Sequence, residues 1–263
     1  MNAPLIAPLT YANYPCLENK RVVITGGGSG IGATIVEAFA LQGAQVSFID
    51  IADQSGRELE AQLSAMRHPA VFYRCDLTDL DALKATFDTI AQGSGPVDIL
   101  INNAANDTRH TIDDVSPTSW DTSIAVNLRH QFFCAQAVAP AMREAGGGVI
   151  LNLGSISWHL ALPELTLYMT AKAAIEGMTR GMARDLGPAQ IRVNSIIPGA
   201  VRTPRQTMLW HTPEEETRIL SGQCLKQRVE MADVAALALF LASSNAARCT
   251  GRDYFVDAGW YGA

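Results

Sequence analysis

The sequence predicts an α/β fold, a single doubly wound domain in which a seven-stranded parallel sheet has helices on both faces. Three observations support this prediction. Short runs rich in β-branched residues alternate along the chain with helical patterns of apolar residues. A glycine-rich joint follows the first run and opens the first helix. Polar residues come directly after several predicted strands, at the sheet edge where such folds bind ligands.

Composition narrows the class of protein. The chain has 263 residues, of which 48% are apolar and 17% charged, as in a globular chain with a sizeable core. A net charge of −6 and the lack of a basic run argue against a nucleic-acid partner. No apolar run is long enough to cross a membrane, and the N-terminus lacks the pattern of a signal peptide. We therefore expect a protein of the cytoplasm.

The cysteines and histidines show no metal-ligand spacing. The five cysteines are scattered and odd in number, so we expect free thiols in a reducing compartment and no metal site. The sequence leaves open whether Cys224 and Cys249 interact.

We expect one domain that is preceded by a short arm. Residues 1–17 are interpreted as a loose N-terminal arm, and residues 18–263 as a single domain. No linker or internal repeat divides that domain. The polar stretch 202–227, with a short helix at residues 214–220, is interpreted as a lid over the substrate.

Strand and helix patterns alternate through the domain in order. Residues 21–25 form a β-branched run, a helical pattern continues from the glycines to Gly43, and residues 45–49 form the next run before Asp50. Parallel neighbours need such helical crossovers. The remaining strands are predicted at residues 71–75, 97–101, 149–153, 191–197 and 254–256, and the remaining helices at residues 53–66, 79–92, 116–144, 165–186 and 229–241.

Capping and breaking residues set the limits of these helices. Thr78 or Asp79 caps the helix at residues 79–92, and Ser116 or Thr118 begins the long helix that follows. The glycines at 146–148 end that long helix, and Gly187 with the proline after it ends the helix at residues 165–186.

The first βαβ unit predicts a dinucleotide site. The run Gly26-Gly27-Gly28-Ser29-Gly30-Ile31-Gly32 lets backbone approach a pyrophosphate and aims the helix N-terminus at it. Asp50 closes the second strand, where a carboxylate accepts hydrogen bonds from ribose hydroxyls and repels a 2′-phosphate. The sequence therefore favours NAD over NADP as cofactor.

Tyr168 and Lys172 stand four positions apart on a predicted helix, so their side chains share one face. An ammonium beside a phenol favours the phenolate and lowers the pKa of the phenol. Such a phenol can take a proton from an alcohol near neutral pH. A catalytic role for the pair is favoured by the positions of other polar residues at the same sheet edge. The residues that follow strands there are Asp50, Asp76, Asn103, Ser155 and Pro198.

At this point the chain resembles the short-chain dehydrogenase/reductase family, which has a Rossmann fold. The likeness covers residues 21–259, and its one departure is Ala105, where the family usually has glycine. The motifs that carry the resemblance are Thr25-Gly26-x-x-x-Gly30-Ile31-Gly32, Asp76, Asn102-Asn103-Ala104, Asn127, Ser155, Tyr168-x-x-x-Lys172, Pro198-Gly199 and Thr250-Gly251-x-x-x-x-Val256-Asp257-Ala258-Gly259.

Within that family the chain is most similar to bacterial aldose 1-dehydrogenases acting on the pentoses D-xylose and L-arabinose. The run Ser155-Ile156-Ser157-Trp158-His159 is the most telling part, because residues after the serine shape the substrate side of the pocket. Further stretches that carry the likeness are Asp50-Ile51-Ala52-Asp53, Asn106-Asp107-x-Arg109-His110, Asn127-Leu128-Arg129-His130 and Val256-Asp257-Ala258-Gly259-Trp260.

The resemblance implies catalytic roles. Tyr168 is the base, Lys172 tunes it, Ser155 holds the substrate oxygen, and Asn127 positions a water that links Lys172 to solvent. The direct product from a cyclic pentose is an aldonolactone, and the assembly is expected to be a homotetramer. Expected cofactor contacts are Gly26, Ser29, Gly30, Ile31, Asp50, Ile51, Asp76, Leu77, Asn103, Ala104, Ala105, Tyr168, Lys172, Pro198, Gly199, Val201 and Thr203.

A sugar presents several hydroxyls, so its pocket should carry polar side chains and an aromatic platform. The expected substrate contacts are Asn106, Ser155, Trp158, His159, Tyr168 and Gln206, with Asp107, Arg202 and Arg205 as further candidates. Two rival interpretations stay open: a dehydrogenase of the same family acting on another sugar, a polyol, a hydroxy acid, a steroid or a 3-oxoacyl thioester, and a non-catalytic dinucleotide sensor.

Overall fold

The structure of the protein is a computed structural model, which describes residues 11–210 and 212–262. Seven strands form the central sheet, and two short ones form a separate pair. The strands are β1 (Arg21–Thr25), β2 (Gln45–Asp50), β3 (Val71–Arg74), β4 (Ile99–Asn102), β5 (Gly148–Leu153), β6 (Ile191–Pro198), β7 (Val201–Arg202), β8 (Val229–Glu230) and β9 (Asp253–Val256).

The sheet is parallel throughout, in the order β3-β2-β1-β4-β5-β6-β9. The strand order reverses between β1 and β4, and a crevice opens at the carboxyl ends of strands where this happens. The predicted fold class is therefore confirmed, and the reversal marks where ligands are expected.

Helices connect the strands and cover both faces of the sheet. The helices are α1 (Gly30–Leu41), α2 (Asp53–Gln62), α3 (Leu80–Ser94), α4 (Pro117–Ile124), α5 (His130–Glu144), α6 (Thr166–Leu186), α7 (Pro204–Trp210), α8 (Pro213–Gly222) and α9 (Met231–Ala242).

Alternation along the strands divides the core into two layers, because successive side chains of a strand point to opposite faces. In β1, Val22 and Ile24 pack with α1 and α9 on one face, whereas Val23 packs with α3 and α5 on the other. β4 repeats the pattern, with Ile99 and Ile101 in the first layer and the leucine between them in the second. Burial on both faces explains why these strands read as continuous apolar runs.

The long helix expected at residues 116–144 is interrupted. A π-helical turn, Ala125–Arg129, separates α4 from α5, and it holds the buried Asn127. Of the two expected N-caps, Ser116 accepts the N–H of Ser119 at 3.1 Å. At α3 the cap is Asp79, which accepts the N–H groups of residues 81 and 82. Single-turn π-helices are frequent at functional sites.

The lid is more ordered than the sequence predicted. Residues 202–227 contain α7 and α8 rather than one short helix, and β7 pairs with β8 beneath them. Both helices begin with proline, which fits the first turn of a helix because its missing N–H has no partner there.

The expected N-terminal arm, residues 1–17, falls only partly within the described residues. Residues 1–10 lie outside the described part of the chain. Within the described part, the N–H of Tyr14 donates to Gln42 Oε1 at 2.8 Å, and Leu17 is 1% exposed in the core. Tyr14 and Leu17 thus attach this segment to the domain, whereas residues 12, 13 and 15 are exposed.

Candidate active site

The glycine-rich loop that follows β1 packs closely against the start of α1 and the loop after β4. Gly26 has a φ of +64°, in the left-handed region that favours glycine. A Cβ on Gly32 would lie 1.9 Å from the carbonyl oxygen of Gly26, so no larger residue fits there. The Asn103 amide donates to the carbonyls of Thr25 and Gly26 at 3.0 and 2.9 Å. This leaves a fixed, side-chain-free cradle at the N-terminus of α1, as a pyrophosphate requires.

Asp50 ends β2 beside this cradle. Its carboxylate accepts the N–H of Gly28 at 2.8 Å through Oδ2 and the N–H of Ala52 at 3.0 Å through Oδ1. The side chain is half-buried, so part of the carboxylate faces solvent at the crevice. An anion is held next to the glycine loop, as the prediction of a ribose contact requires.

A cavity of about 200 Å³ extends from this cradle toward the middle of the sheet edge. Asp76 lies outside it and accepts the N–H and hydroxyl of Thr78, and the Leu77 side chain packs in the core. The predicted cofactor residues that line the cavity are Ile31, Asn103, Ala105, Tyr168, Lys172, Pro198, Gly199, Val201 and Thr203.

Ser155, Tyr168 and Lys172 meet on the wall of this cavity. Ser155 follows β5, and the other two project from the first turns of α6. Lys172 is 1% exposed, and its Nζ donates to the carbonyl of Leu153 at 2.7 Å. The same nitrogen lies 5.3 Å from the centre of the Tyr168 ring. The predicted triad is thus assembled from two adjoining elements.

The electrostatics of the pair differ from the expectation. Burial raises the pKa of Tyr168, the charge of Asp107 raises it further, and a hydrogen bond with Ser155 opposes both. Burial lowers the pKa of Lys172 to about 7, with Asp107 acting in the opposite direction. The structure therefore does not show the expected lowering of the tyrosine pKa, because desolvation of the buried phenol outweighs its hydrogen bond with Ser155.

Asn127 fixes the loop after β4 through its side chain. Its Oδ1 accepts the N–H of Asn106 at 2.8 Å, and its Nδ2 donates to the carbonyl of Asn106 at 3.0 Å. Nearby, Nε2 of His130 donates to the carbonyl of Ala104 at 3.0 Å, and burial lowers the pKa of that histidine to about 4. The loop carrying Asp107 is consequently anchored at two points by the π-turn and its neighbour.

A second cavity, of about 110 Å³, adjoins the first and shares Ser155, Tyr168, Asp107 and Gln206 with it. Gln206, an expected substrate contact, lines both cavities. Asn106 does not, because it faces another depression and its Oδ1 accepts the N–H and hydroxyl of Thr108.

Trp158 and His159 lie away from this second cavity. Trp158 Nε1 and His159 Nε2 both contact Oε1 of Glu176, at 2.7 and 2.8 Å. Neither residue lines the cavity, so the structure does not bring these two expected substrate contacts to the wall that Ser155 and Tyr168 share. The local pattern after Ser155 could not reveal this, because the loop turns back onto α6 after Ser157.

The aromatic walls of the cavity come from Trp210 at the end of α7 and Trp260 near the C-terminus. The Arg109 guanidinium lies 4.4 Å above the Trp210 ring, and Arg218 lies 5.2 Å from the Trp260 ring. The sequence showed Trp260 next to a family motif, but nothing in it indicated that the chain end folds back over the site.

An ion pair joins the lid to the loop after β4, and others lie within the lid itself. Arg205 of α7 donates to Asp107 Oδ1 at 3.2 Å, and Arg202 pairs with Glu216 at 3.3 Å. Glu215 accepts hydrogen bonds from two nitrogens of Arg218, each at 2.7 Å, so the wall of the second cavity mixes carboxylates with guanidinium groups. Such a wall offers hydrogen-bond acceptors and donors to a ligand with many hydroxyls.

Other site classes receive no support from the described residues. Among them, no cluster of His, Cys, Asp and Glu could hold a metal ion, and the five cysteines are free thiols. None of the helices in residues 11–210 and 212–262 is both long enough and apolar enough to span a membrane.

Comparisons with known proteins give matches along nearly the whole chain. The family profile described as enoyl-(acyl carrier protein) reductase matches residues 26–261. A D-xylose 1-dehydrogenase of Caulobacter vibrioides is 57% identical over 252 residues, covering 96% of this chain and 100% of that protein. A "probable galactose dehydrogenase" of Rhizobium meliloti is 45% identical over 252 residues, covering 95% and 98%. A 7α-hydroxysteroid dehydrogenase, solved with NADH and 7-oxo glycochenodeoxycholic acid, has a TM-score of 0.89 at 34% identity, covering 94% and 96%.

Proposed function

Because the chain belongs to the short-chain dehydrogenase/reductase family, we propose that it oxidises the C1 hydroxyl of a cyclic aldose, with NAD as hydride acceptor. The favoured substrates are the pentoses D-xylose and L-arabinose, and the direct product is the aldonolactone. The observation that carries the proposal is the position of Ser155 and Tyr168 on the wall shared by two adjoining cavities. One cavity extends toward the glycine loop and the other is lined by polar and aromatic groups.

The second cavity is the substrate-side cavity in this proposal, and its composition supports a sugar as substrate. Trp210 and Trp260 supply flat apolar surfaces, against which the C–H faces of a pyranose or furanose ring pack. Asp107 and Glu215 are acceptors for hydroxyl protons, and Gln206 offers both donor and acceptor atoms. A steroid would bury these charged groups against apolar rings without adding hydrogen bonds to them, which costs free energy.

The glycine cradle and Asp50 fit a dinucleotide. The N-terminus of α1 suits the pyrophosphate, and Asp50 suits an adenosine ribose with a free 2′-hydroxyl, which favours NAD over NADP. A nicotinamide cofactor, when bound, accepts the hydride released from C1. The remaining chemistry falls to side chains of this chain.

In the proposed reaction, Tyr168 as phenolate takes the proton of the C1 hydroxyl while C1 gives up a hydride. Ser155 hydrogen-bonds the same oxygen and stabilises the charge that develops on it. Lys172 is held by Leu153 and faces the Tyr168 ring, so its protonation state sets how readily the phenol ionises. Asn127 holds the Asn106 backbone and, as the family likeness implies, positions a water near Lys172.

The test is a set of initial rates measured by absorbance of the reduced cofactor. D-xylose, L-arabinose, D-galactose, L-fucose and D-glucose are each assayed with NAD and with NADP, beside a polyol, a hydroxy acid, a steroid alcohol and a 3-hydroxyacyl thioester. We expect the highest kcat/KM for a pentose with NAD. A higher value for any non-sugar alcohol would refute the substrate class, and nucleotide binding without turnover of any alcohol would leave the dinucleotide sensor.

We also propose a homotetramer in the cytoplasm. The family likeness implies this assembly, and α4 and α5 expose Trp120 and Phe132 at 44% and 45%. Light scattering after size exclusion tests the assembly, and a monomer at micromolar concentration would contradict it.

A further inference from the structure

A buried carboxylate lies next to the catalytic helix face but outside both cavities. Glu176 is 4% exposed, although an ionised carboxylate is costly to remove from water. Its Oε1 accepts Trp158 Nε1 at 2.7 Å and His159 Nε2 at 2.8 Å. Because a carboxylate only accepts, His159 carries its proton on Nε2. Two donors thus converge on one oxygen atom.

The position of Glu176 on α6 connects it to the catalytic pair. Tyr168, Lys172 and Glu176 follow one another at intervals of four residues, so they share one face of the helix. The same helix face that presents the proposed base therefore also presents this carboxylate, two turns further along.

The two donors belong to the loop that carries Ser155. Trp158 and His159 follow Ser155 by three and four residues, and Ser157 donates its N–H to Ser155 Oγ at 3.1 Å. The loop also lines the substrate-side cavity through Ile156 and Ser157. Its attachment to Glu176 therefore contributes to where Ser155 lies relative to Tyr168, together with the Ile156 N–H that donates to the Pro198 carbonyl at 3.0 Å.

The C-terminal segment packs against the same cluster. The rings of Phe255 and Tyr261 lie 4.9 and 4.3 Å from the His159 ring, measured between centroids. Between them in sequence, Trp260 lines the substrate-side cavity. The cluster of Glu176, Trp158 and His159 thus contacts three parts of the site, namely the helix of Tyr168, the loop of Ser155 and the segment of Trp260.

We infer that Glu176 is a positioning residue that sets the Ser155 hydroxyl against the Tyr168 phenol by holding Trp158 and His159. This inference rests on the proposed function for the roles of Ser155 and Tyr168. Glu176 touches neither cavity, so its effect on the reaction passes through the loop. A small displacement of a catalytic group lowers the rate of the chemical step more than it weakens ligand binding.

The test compares four variants in the full-length protein. Glu176→Leu removes the accepting oxygen, and Trp158→Phe removes one donor while keeping an aromatic ring. Glu176→Gln keeps an accepting oxygen and is expected to recover most of the rate. Asp185→Asn, an exposed carboxylate on the same helix, is the matched control. We expect kcat to fall about tenfold in the first two variants, with the Kd for the cofactor within about twofold of wild type.

A double-mutant cycle with Ser155→Ala decides whether Glu176 acts through the serine. We expect Glu176→Leu to have little further effect on kcat once Ser155 is alanine, because coupled residues are not additive. A full tenfold loss in that background, or an unchanged kcat in folded Glu176→Leu, would overturn the inference. If Glu176→Leu does not fold, Trp158→Phe carries the same cycle. The cycle uses whichever alcohol wild type oxidises best, so a wrong sugar assignment leaves it intact.

Discussion

Asp50→Asn should weaken the preference for NAD over NADP. The substitution removes one negative charge at the end of β2 and keeps the size of the side chain. In the wild type this carboxylate accepts two backbone N–H groups, from Gly28 and Ala52. The asparagine has one carbonyl oxygen and an NH₂ group, so one of the two N–H groups loses its acceptor.

The size of the effect follows from the repulsion of a 2′-phosphate. At about 6 Å, one carboxylate and a phosphate of about two charges repel by about 1.4 kcal/mol in the dielectric of water and about 5.5 kcal/mol at an effective dielectric of about 20. Asp50 is half-buried at an open edge, which favours the lower part of this range. The ratio of kcat/KM for NADP to that for NAD should therefore rise about 10- to 100-fold.

The assay measures kcat/KM for both cofactors at a saturating concentration of the best sugar. Asp53→Asn is the matched control, because Asp53 is an exposed carboxylate paired with Arg57 at the start of α2 and its loss changes the net charge equally. We expect the control to leave the cofactor ratio within about twofold. A ratio that stays unchanged in folded Asp50→Asn would mean that Asp50 does not face the ribose.

Three further predictions concern the catalytic pair and the glycine loop. Tyr168→Phe should abolish turnover while cofactor binding, followed by NADH fluorescence, stays near wild type; substantial residual turnover would remove Tyr168 as base. Lys172→Met should stabilise the fold by about 1–3 kcal/mol at pH 6 and by less at pH 9. The folded-state pKa of Lys172 is lowered to about 7, so the unfolded chain binds more protons between that pH and about 10.5, and wild-type stability rises with pH across this window. Thermal unfolding at both pH values measures this, and an equal effect at pH 6 and 9 would contradict it. Gly32→Ala should destabilise the protein by about 3 kcal/mol or more and abolish cofactor binding, because its Cβ would lie 1.9 Å from Gly26 O. Gly181→Ala, where a Cβ meets nothing within 4 Å, should instead stabilise by about 0.5–1 kcal/mol; equal unfolding midpoints for the two variants would refute the clash.

The sequence predicted the sheet and the glycine loop because both depend on local patterns. Apolar runs of strand length and the spacing of glycines are visible in one dimension. Where tertiary contacts decide, the predictions failed. The π-turn at Ala125–Arg129 lies inside an uninterrupted helical pattern, and α7 forms where a polar lid segment was expected.

The substrate contacts show the same limit. Ser155 and Gln206 lie at the cavity, but Trp158 and His159 turn to Glu176, a residue that no pattern in the sequence singles out. Trp210 and Trp260, which are far apart in sequence, form the aromatic walls in their place. Which tryptophan faces a ligand depends on how loops fold back, and no local spacing records that.

The π-turn changes the direction in which side chains before it face relative to those of α5. One extra residue in a helix rotates everything before it by about 100° relative to everything after it. Beyond the turn, α5 keeps Cys134, Val138 and Met142 in the core. Within the turn, Asn127 is aimed at the backbone of Asn106. In a regular helix Asn127 would lie within about 20° of Cys134, seven residues further on, so the extra residue turns the Asn127 side chain away from that core-facing stripe and toward the loop.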